Sequence, residues 1–163
     1  MIIMSKFTKY QAIFTAPFAT LGLKLNKQII CELDFIFEDI SKPVFRNEYA
    51  EEIVEEISHY LENPLYQFDL NISPKGTVFQ KSVWREMQEI PSGSCLTYSE
   101  VAAELHSGAR AVGNACRKNP IPLIIPCHRI VAKNGLGGFA GETTGQLTDV
   151  KRWLLDHESC SIN

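Results

Sequence analysis

Residues 97–118, TYSEVAAELHSGARAVGNACRK, decide the fold of the second half of the chain. A capping box of Thr97 and Glu100 predicts the start of one short helix, and a Ser-Gly turn leads into a second helix that ends near Lys118. Two short helices joined by a glycine-containing turn are typical of a helix-turn-helix. The second helix begins with small residues around Arg110, which would allow close approach to a groove.

The segments around this motif predict further helices and one buried strand. A second capping box, Thr77 with Gln80, starts a helix before the motif, and apolar residues at helical spacing predict a last helix over about 147–157. Between them, the apolar run IPLIIPCHRIV (121–131) is interpreted as a buried strand whose ends are fixed by prolines. A glycine-rich loop, 134–141, follows this run.

The first half of the chain is predicted to be a small antiparallel sheet with a helix. Apolar stretches at 10–15, 21–25 and 28–37 predict three strands, and 66–73 predicts a further one. A helical pattern opens at Asn47. A turn-rich joint at residues 73–76 marks a domain boundary. We therefore expect an α+β fold with an N-terminal domain at 1–74 and a C-terminal domain at 75–163.

Composition excludes several classes of protein. The chain has 163 residues, of which 45% are hydrophobic, and this is enough for a packed core of ordinary size. It has no uninterrupted apolar stretch of about 18 residues, and its first residues lack the pattern of a secretory signal. Five cysteines, an odd number with no CxxC pair, favour a reduced cytoplasmic protein without a disulfide framework or a zinc ribbon.

The net charge of -3 conceals an uneven distribution. Residues 1–74 carry six Lys and Arg against eleven Asp and Glu, whereas residues 75–163 carry ten against eight. From Leu105 to Gly141 there are five basic residues and no acidic one. Such a stretch indicates a surface for a polyanion, although five solvated surface charges would give the same pattern.

Cys127 is the strongest candidate for a reactive residue. His128 and Arg129 follow it directly, and a thiolate nucleophile needs a base or a positive charge nearby. Neighbours in a strand point to opposite faces, so His128 can act on Cys127 only if Pro126 bends the chain or a water molecule bridges the two side chains. The alternative is a buried cysteine beside a core histidine. The other four cysteines are interpreted as small core or surface residues.

Two acidic residues are candidates to orient the His128 imidazole. Glu142 follows the glycine-rich loop, and Glu158 lies just beyond the last helix. The residues alone do not choose between them, and either could be a solvated surface carboxylate. Tyr98, just inside a helix start, is either a packing residue or a proton donor.

Three segments carry a resemblance to a known family: IPSGSCLTYSEVA (90–102), GARAVGNACRKNPIPLIIPCHRIV (108–131) and KRWLLDHE (151–158). They make the region from Phe79 to Glu158 similar to the C-terminal domain of the O6-alkylguanine-DNA alkyltransferases, or methylated-DNA–protein-cysteine methyltransferases. The resemblance implies a mostly helical domain, like a winged helix-turn-helix, that carries the active-site cysteine. The acidic first half is similar to the family's N-terminal domain only in length and pattern.

The resemblance also implies roles for individual residues of the active site. Cys127 would accept the alkyl group, and His128, held by Glu158, would act on it through a bridging water. Tyr98 would rotate the target phosphate and donate a hydrogen bond to the departing guanine. Asn119 would link the helix-turn-helix to the active-site segment by hydrogen bonds.

Further residues would contact DNA or line the pocket for the base. Arg110 would be inserted into the base stack where the guanine has left. The residues implied at the DNA surface are Tyr98, Arg110, Ala111 and Arg117, and those at the pocket are Pro126, Arg129, Phe139 and Ala140. Ala140 stands where some relatives have a serine that hydrogen-bonds the guanine oxygen, so a backbone amide would have to replace that contact.

The implied function is DNA repair by a single, irreversible transfer. The partner would be double-stranded DNA that contains O6-alkylguanine, with O4-alkylthymine as a further candidate substrate. We expect no cofactor, no metal ion and no membrane, and a monomer in the cytoplasm. The alternatives are a DNA-binding protein of the same fold that senses lesions or regulates transcription, and a cysteine hydrolase, which would need an oxyanion hole.

Overall fold

The structure is a computed structural model that describes residues 7–160. The chain divides into two compact units between Lys75 and Gly76, one residue after the boundary placed from the sequence. The first unit combines a sheet with a helix and the second is mainly helical, so the predicted α+β class is confirmed. In the part of the chain that is described, no helix has both the length and the apolar character needed to cross a bilayer.

The first unit is built on a four-stranded antiparallel sheet. Its strands are β1 (Ala12–Ala16), β2 (Ala19–Asn26), β3 (Ile29–Ile36) and β4 (Val44–Phe45), in the order β3-β2-β1-β4. Asn26 pairs with Ile29, so a two-residue turn joins β2 to β3, and Lys27 in that turn has a left-handed φ of 56°. The first three strands confirm the prediction, whereas the short edge strand β4 was not predicted.

Helix α1 (Glu48–Glu62) packs against β1 and β4. Asn47 caps its first turn, as its side chain accepts a hydrogen bond from the Ala50 N–H at 2.8 Å. The strand predicted at 66–73 is wrong. Only the backbone around Ile72 bonds to Ile30 of β3, and these bonds are too few to form a ladder.

The helices of the second unit position the site. They are α2 (Val78–Glu89), α3 (Tyr98–Glu104), α4 (Ala109–Arg117) and α5 (Gln146–His157). Both predicted capping boxes, at Thr77 and Thr97, are present. α3 and α4 pack against each other across a short turn, as a helix-turn-helix requires. α2 supports α4, because the buried Trp84 donates from Nε1 to the Ala115 carbonyl at 2.8 Å.

The apolar run at 121–131 is buried, but its interpretation as a strand is wrong. Its two prolines have no N–H to give to a ladder, and Leu123 has a left-handed φ of 76°. The run instead leads into a 3₁₀ turn, Cys127–Arg129, and then into β6 (Ile130–Val131). β6 pairs in parallel with β5 (Leu96–Thr97), which joins the turn to the start of α3.

Two of the cysteines form a disulfide, and this corrects the expectation of a fully reduced chain. Cys95 lies just before β5 and Cys160 just after α5, 65 positions apart in sequence. The fold brings these distant positions together, which their spacing does not reveal. Cys31, Cys116 and Cys127 carry free thiols.

Candidate active site

A cavity of about 280 Å³ in the second unit contains Cys127. Its rim is formed by exposed residues of α4, of the glycine-rich loop and of the segment just after it, including Arg117 and Glu142, whereas Cys127 is only 5% exposed. Tyr98 and the buried Phe139 form further walls. The volume is near the lower end of small-molecule sites, about 300 Å³, and suits a single base rather than a large ligand.

The 3₁₀ turn determines how Cys127 and His128 are placed. Pro126 bends the chain, with φ -81° and ψ 66°, and its carbonyl accepts from the Arg129 N–H at 3.0 Å. In such a turn, neighbouring side chains do not alternate between opposite faces as they do in a strand. Cys127 and His128 are both buried. Of the two arrangements that the sequence left open, a bend at Pro126 or a bridging water, the bend is present.

His128 and Arg129 both bind one buried carboxylate, that of Glu158. His128 Nε2 lies 2.9 Å from Oε1, Arg129 Nη2 lies 2.8 Å from Oε1, and Arg129 Nε lies 3.0 Å from Oε2. The side chains of His128 and Glu158 are fully buried. Arg129 also donates from Nη1 to the Ile90 carbonyl at 2.6 Å. Of the two acids left open by the residues, Glu158 meets His128, and Glu142 lies at the cavity rim.

The imidazole of His128 is neutral in this environment. Burial lowers the pKa of His128, and the hydrogen bond to Glu158 offsets only part of that effect. A neutral ring has one N–H, and the nitrogen that faces a carboxylate carries it, so the hydrogen-bond network assigns the Nε2–H tautomer. Nδ1 is then a free acceptor, and within residues 7–160 it has no hydrogen-bond partner.

Cys127 is a protonated thiol at rest. Burial raises the pKa of Cys127 to about 11. Several groups act in the opposite direction: a hydrogen bond from the Asn119 side chain, the positive charge of Lys151, and the backbone N–H groups of Cys127 and His128. These groups favour the thiolate once a base takes the proton.

Asn119 connects α4 to the segment that leads to Cys127. Its Nδ2 donates to the Ile125 carbonyl at 2.8 Å, and its Oδ1 accepts from the Ile121 N–H at 3.0 Å. The amide thus ties together both ends of the irregular run before the 3₁₀ turn. This is the position in which the resemblance placed it.

Tyr98, in the first turn of α3, faces the glycine-rich loop. Its hydroxyl donates to the Gly138 carbonyl at 3.2 Å. Burial raises the pKa of Tyr98, and so do Cys116 and Cys127 in their charged forms. The phenol therefore keeps its proton at neutral pH and is a hydrogen-bond donor.

The glycine-rich loop closes the cavity with a tight turn. Phe139 and Glu142 exchange two backbone hydrogen bonds, and Ala140 and Gly141 between them have left-handed φ values of 49° and 92°. Two such residues are typical of a type I′ turn. A Cβ at Gly141 would lie 3.0 Å from the Arg117 side chain, so the loop and α4 meet closely at the rim.

α4 presents basic side chains beside the cavity. Arg110 and Arg117 are exposed and line it. Ala111 lies apart from it and lines a second cavity of about 460 Å³, together with Arg117 and Lys118. The structure therefore brings Arg110, Arg117 and Tyr98 around Cys127, and places Ala111 on the neighbouring surface.

Comparison with known proteins gives the family. The sequence profile described as "6-O-methylguanine DNA methyltransferase, DNA binding domain" matches residues 78–160. The methylated-DNA–protein-cysteine methyltransferase of Methanosarcina acetivorans is 36% identical over 160 residues, which cover 93% of this chain and 99% of that protein. The chain belongs to the O6-methylguanine-DNA methyltransferase family.

Solved structures of this methyltransferase family agree with the fold. The O6-methylguanine methyltransferase of Mycobacterium tuberculosis matches with a TM-score of 0.77 at 29% identity, covering 90% of each chain. Mycobacterium tuberculosis OGT in complex with DNA matches with a TM-score of 0.72 at 28% identity, covering 90% of this chain and 91% of that one. The likeness extends to the first half of the chain, where the sequence resembled the family only in length and pattern.

Two residues that the family resemblance placed at the pocket do not line the cavity. Arg129 directs its guanidinium to Glu158, because the buried carboxylate is its strongest partner. Pro126 is buried and shapes the 3₁₀ turn instead. Phe139 and Ala140 do line the cavity.

Lys151 is a residue of the site that the sequence reasoning missed. It is fully buried on α5, and its Nζ donates to the carbonyls of Ile130 and Gly138 at 2.6 and 2.9 Å. A local signal existed: Lys151 follows Val150 and lies one turn before Leu155, both on the buried face of the helix. A charged residue on that face is unusual.

Glu158→Gln should impair both stability and reactivity. Breaking a buried ion pair should lower the free energy of unfolding by about 3–5 kcal/mol, measured by urea denaturation. Transfer of the methyl group from O6-methylguanine in a duplex to Cys127 should slow by about a hundredfold or more, because the imidazole loses the group that orients it. Glu142→Gln, at the exposed rim, is the control and should change stability by less than about 0.5 kcal/mol. Equal losses in the two variants would contradict the placement of Glu158.

Proposed function

We propose that the protein repairs DNA by transferring an alkyl group from the O6 atom of guanine to Cys127. The observation that carries the proposal is a cysteine in a base-sized cavity whose neighbour, His128, is a buried neutral imidazole bound to Glu158. The name of the Methanosarcina acetivorans relative supports it. The partner is double-stranded DNA that contains O6-alkylguanine, and O4-alkylthymine is a further candidate substrate.

The first step is removal of the thiol proton. A bridging water carries the proton from Cys127 to Nδ1 of His128, and Glu158 stabilises the resulting imidazolium through Nε2–H. The Asn119 side chain and two backbone N–H groups lower the pKa of Cys127 and so hold the thiolate. The sulfur then attacks the alkyl carbon in line, the C–S bond forms as the C–O bond breaks, and the electron pair leaves with guanine.

The departing guanine needs a hydrogen-bond donor, and the gap that it leaves in the base stack of the DNA needs to be filled. Tyr98 keeps its proton and lines the cavity, so its hydroxyl donates to the ring of the departing guanine. The base has to leave the duplex to reach Cys127, which costs roughly a few kcal/mol and is easier for a mispairing base. Arg110, at the cavity rim, fills the gap in the stack, while Ala111 and Arg117 contact the DNA backbone.

The product explains why each molecule reacts once. It is a thioether on Cys127, and no group in the described part of the site is suited to hydrolyse a thioether.

The scheme uses no cofactor and no metal ion. All the groups it needs lie in one chain and the acceptor thiol has to be reduced, so we propose a monomer that works in the cytoplasm. The Cys95–Cys160 disulfide is the exception among its cysteines.

Mass spectrometry identifies the acceptor directly. After incubation with a duplex that contains one O6-methylguanine, the protein should gain a single methyl group on the peptide with Cys127. Cys127→Ala should gain none and should still bind the duplex. The matched control is Cys116→Ala, which removes the other free thiol that lines the cavity and should keep most of the transfer.

Three other outcomes would reject the assignment. Transfer that persists in Cys127→Ala would mean that another residue accepts the methyl group. Tight binding without any mass gain in the wild type would mean a lesion-sensing protein. Repeated turnover of an ester substrate would favour a cysteine hydrolase.

Arg110→Ala should change the rate of transfer from duplex DNA but not the rate of transfer from the free base. Arg110 fills the gap and so offsets part of the unstacking cost of roughly a few kcal/mol, so without it single-turnover transfer from the methylated duplex should slow by about tenfold or more. Transfer from the free O6-methylguanine base should stay nearly unchanged, because no gap forms. Arg152→Ala removes an exposed arginine of α5 that does not line the cavity, and should alter neither rate. Equal losses on both substrates in Arg110→Ala would exclude the proposed role.

A further inference from the structure

Lys151 is a buried ammonium without a carboxylate partner. It is fully buried, and among the described residues no Asp or Glu pairs with it. Two of its three N–H groups donate to backbone carbonyls, those of Ile130 and Gly138. Lysine is almost never fully buried unless it is paired. The positive charge of Lys151 therefore has to be balanced by a group other than Asp or Glu.

The groups that can balance Lys151 belong to the cavity. Burial lowers the pKa of Lys151 to about 8, whereas Cys127 and Cys116 act to raise it. In return, Lys151 lowers the pKa of Cys127. Nζ lies 5.9 Å from the centre of the Tyr98 ring, which forms a cavity wall. The ammonium is thus best balanced when Cys127 is a thiolate.

Lys151 and Tyr98 also share one acceptor. The Gly138 carbonyl receives the Tyr98 hydroxyl at 3.2 Å and Lys151 Nζ at 2.9 Å. When the Tyr98 hydroxyl turns to a leaving guanine, this carbonyl loses one donor. Lys151 remains bonded to it, so this part-buried carbonyl keeps a hydrogen-bond donor.

We propose that Lys151 is a positioning residue for alkyl transfer. Its positive charge favours the Cys127 thiolate, and its N–H groups hold the Gly138 carbonyl while Tyr98 moves to the leaving group. By also bonding Ile130, it joins the strand after the 3₁₀ turn to the glycine-rich loop. This inference rests on the proposed function, which assigns Cys127 and Tyr98 their parts in the reaction.

Several other titratable groups lie around Cys127 and contribute to its pH dependence. They are Tyr98 from α3, Cys116 from α4, His128 and Arg129 from the 3₁₀ turn, and Glu158 from the end of α5. Arg129 is paired with Glu158, and His128 is neutral. Lys151 therefore supplies the unpaired positive charge on this side of the cavity.

Two substitutions of Lys151 distinguish the effect of its charge from the effect of its hydrogen bonds. Lys151→Met removes both, whereas Lys151→Gln removes the charge and keeps N–H donors for the two carbonyls. Arg152→Met, at the exposed neighbour on the same helix, is the matched control. Iodoacetamide labels a cysteine in proportion to its thiolate fraction, so peptide mass spectrometry of the Cys127 peptide between about pH 7 and pH 9 reports thiolate formation.

In both Lys151 variants, labelling of Cys127 at pH 7 should be about tenfold slower, which corresponds to a rise of about one unit in the pKa of the thiol. The difference from the wild type should shrink toward pH 9, because Lys151, with a pKa of about 8, loses its own charge there. Transfer from the methylated duplex should fall by a similar factor in Lys151→Gln and further in Lys151→Met, because only the latter leaves the Gly138 carbonyl without its second donor. DNA affinity should stay unchanged, since Lys151 is buried. Arg152→Met should match the wild type in all three measurements.

Wild-type labelling rates in either folded variant would overturn the role of the charge. Equal transfer rates in the two variants would overturn the role at Gly138. If Lys151→Met does not fold, Lys151→Leu takes its place, and Lys151→Gln still decides the role of the charge. Absence of transfer by the wild type would reject the proposed function instead, while the labelling rates would continue to test Lys151.

Discussion

The buried carboxylate of Glu158 is the constraint on which the site depends. A charge inside a protein has to be met by several hydrogen bonds, because breaking a buried pair costs about 3–5 kcal/mol. His128 and Arg129 supply three N–H groups to this carboxylate, and Arg129 extends to Ile90 at the end of α2. The end of α5, the 3₁₀ turn and the end of α2 therefore meet at one point. These contacts fix the 3₁₀ turn and with it the position of Cys127.

The same carboxylate sets the protonation states of the groups beside Cys127. Because Nε2–H of His128 is bound to Glu158, Nδ1 is left to accept a proton, and burial keeps the ring neutral. Burial also keeps Cys127 a thiol at rest. In the proposed mechanism, a thiolate forms only when the imidazole, the surrounding N–H donors and Lys151 act together. This confines the reactivity of a buried cysteine to substrates that enter its cavity.

Local signals predicted the helices, because capping boxes and apolar spacing depend on residues three or four positions apart. Contacts between residues far apart in sequence could not be predicted from such local patterns. The residues alone did not choose between Glu142 and Glu158, since the choice depends on where α5 ends beside the 3₁₀ turn. The disulfide joins Cys95 and Cys160, which are 65 positions apart. Lys151 differs from these cases: its place on a buried helix face was a local signal.

The proposed mechanism requires His128 to be a neutral imidazole that is protonated on Nε2. Nitrogen NMR of protein labelled with ¹⁵N-histidine distinguishes the two tautomers and the imidazolium, and His128→Asn assigns the signal. We expect an unprotonated Nδ1 at pH 7 that stays unprotonated until the pH falls below 6.5, because burial lowers the pKa of His128 from that ordinary value. An imidazolium at pH 7, or a proton on Nδ1, would exclude the proposed proton transfer, since Cys127 would then have no base.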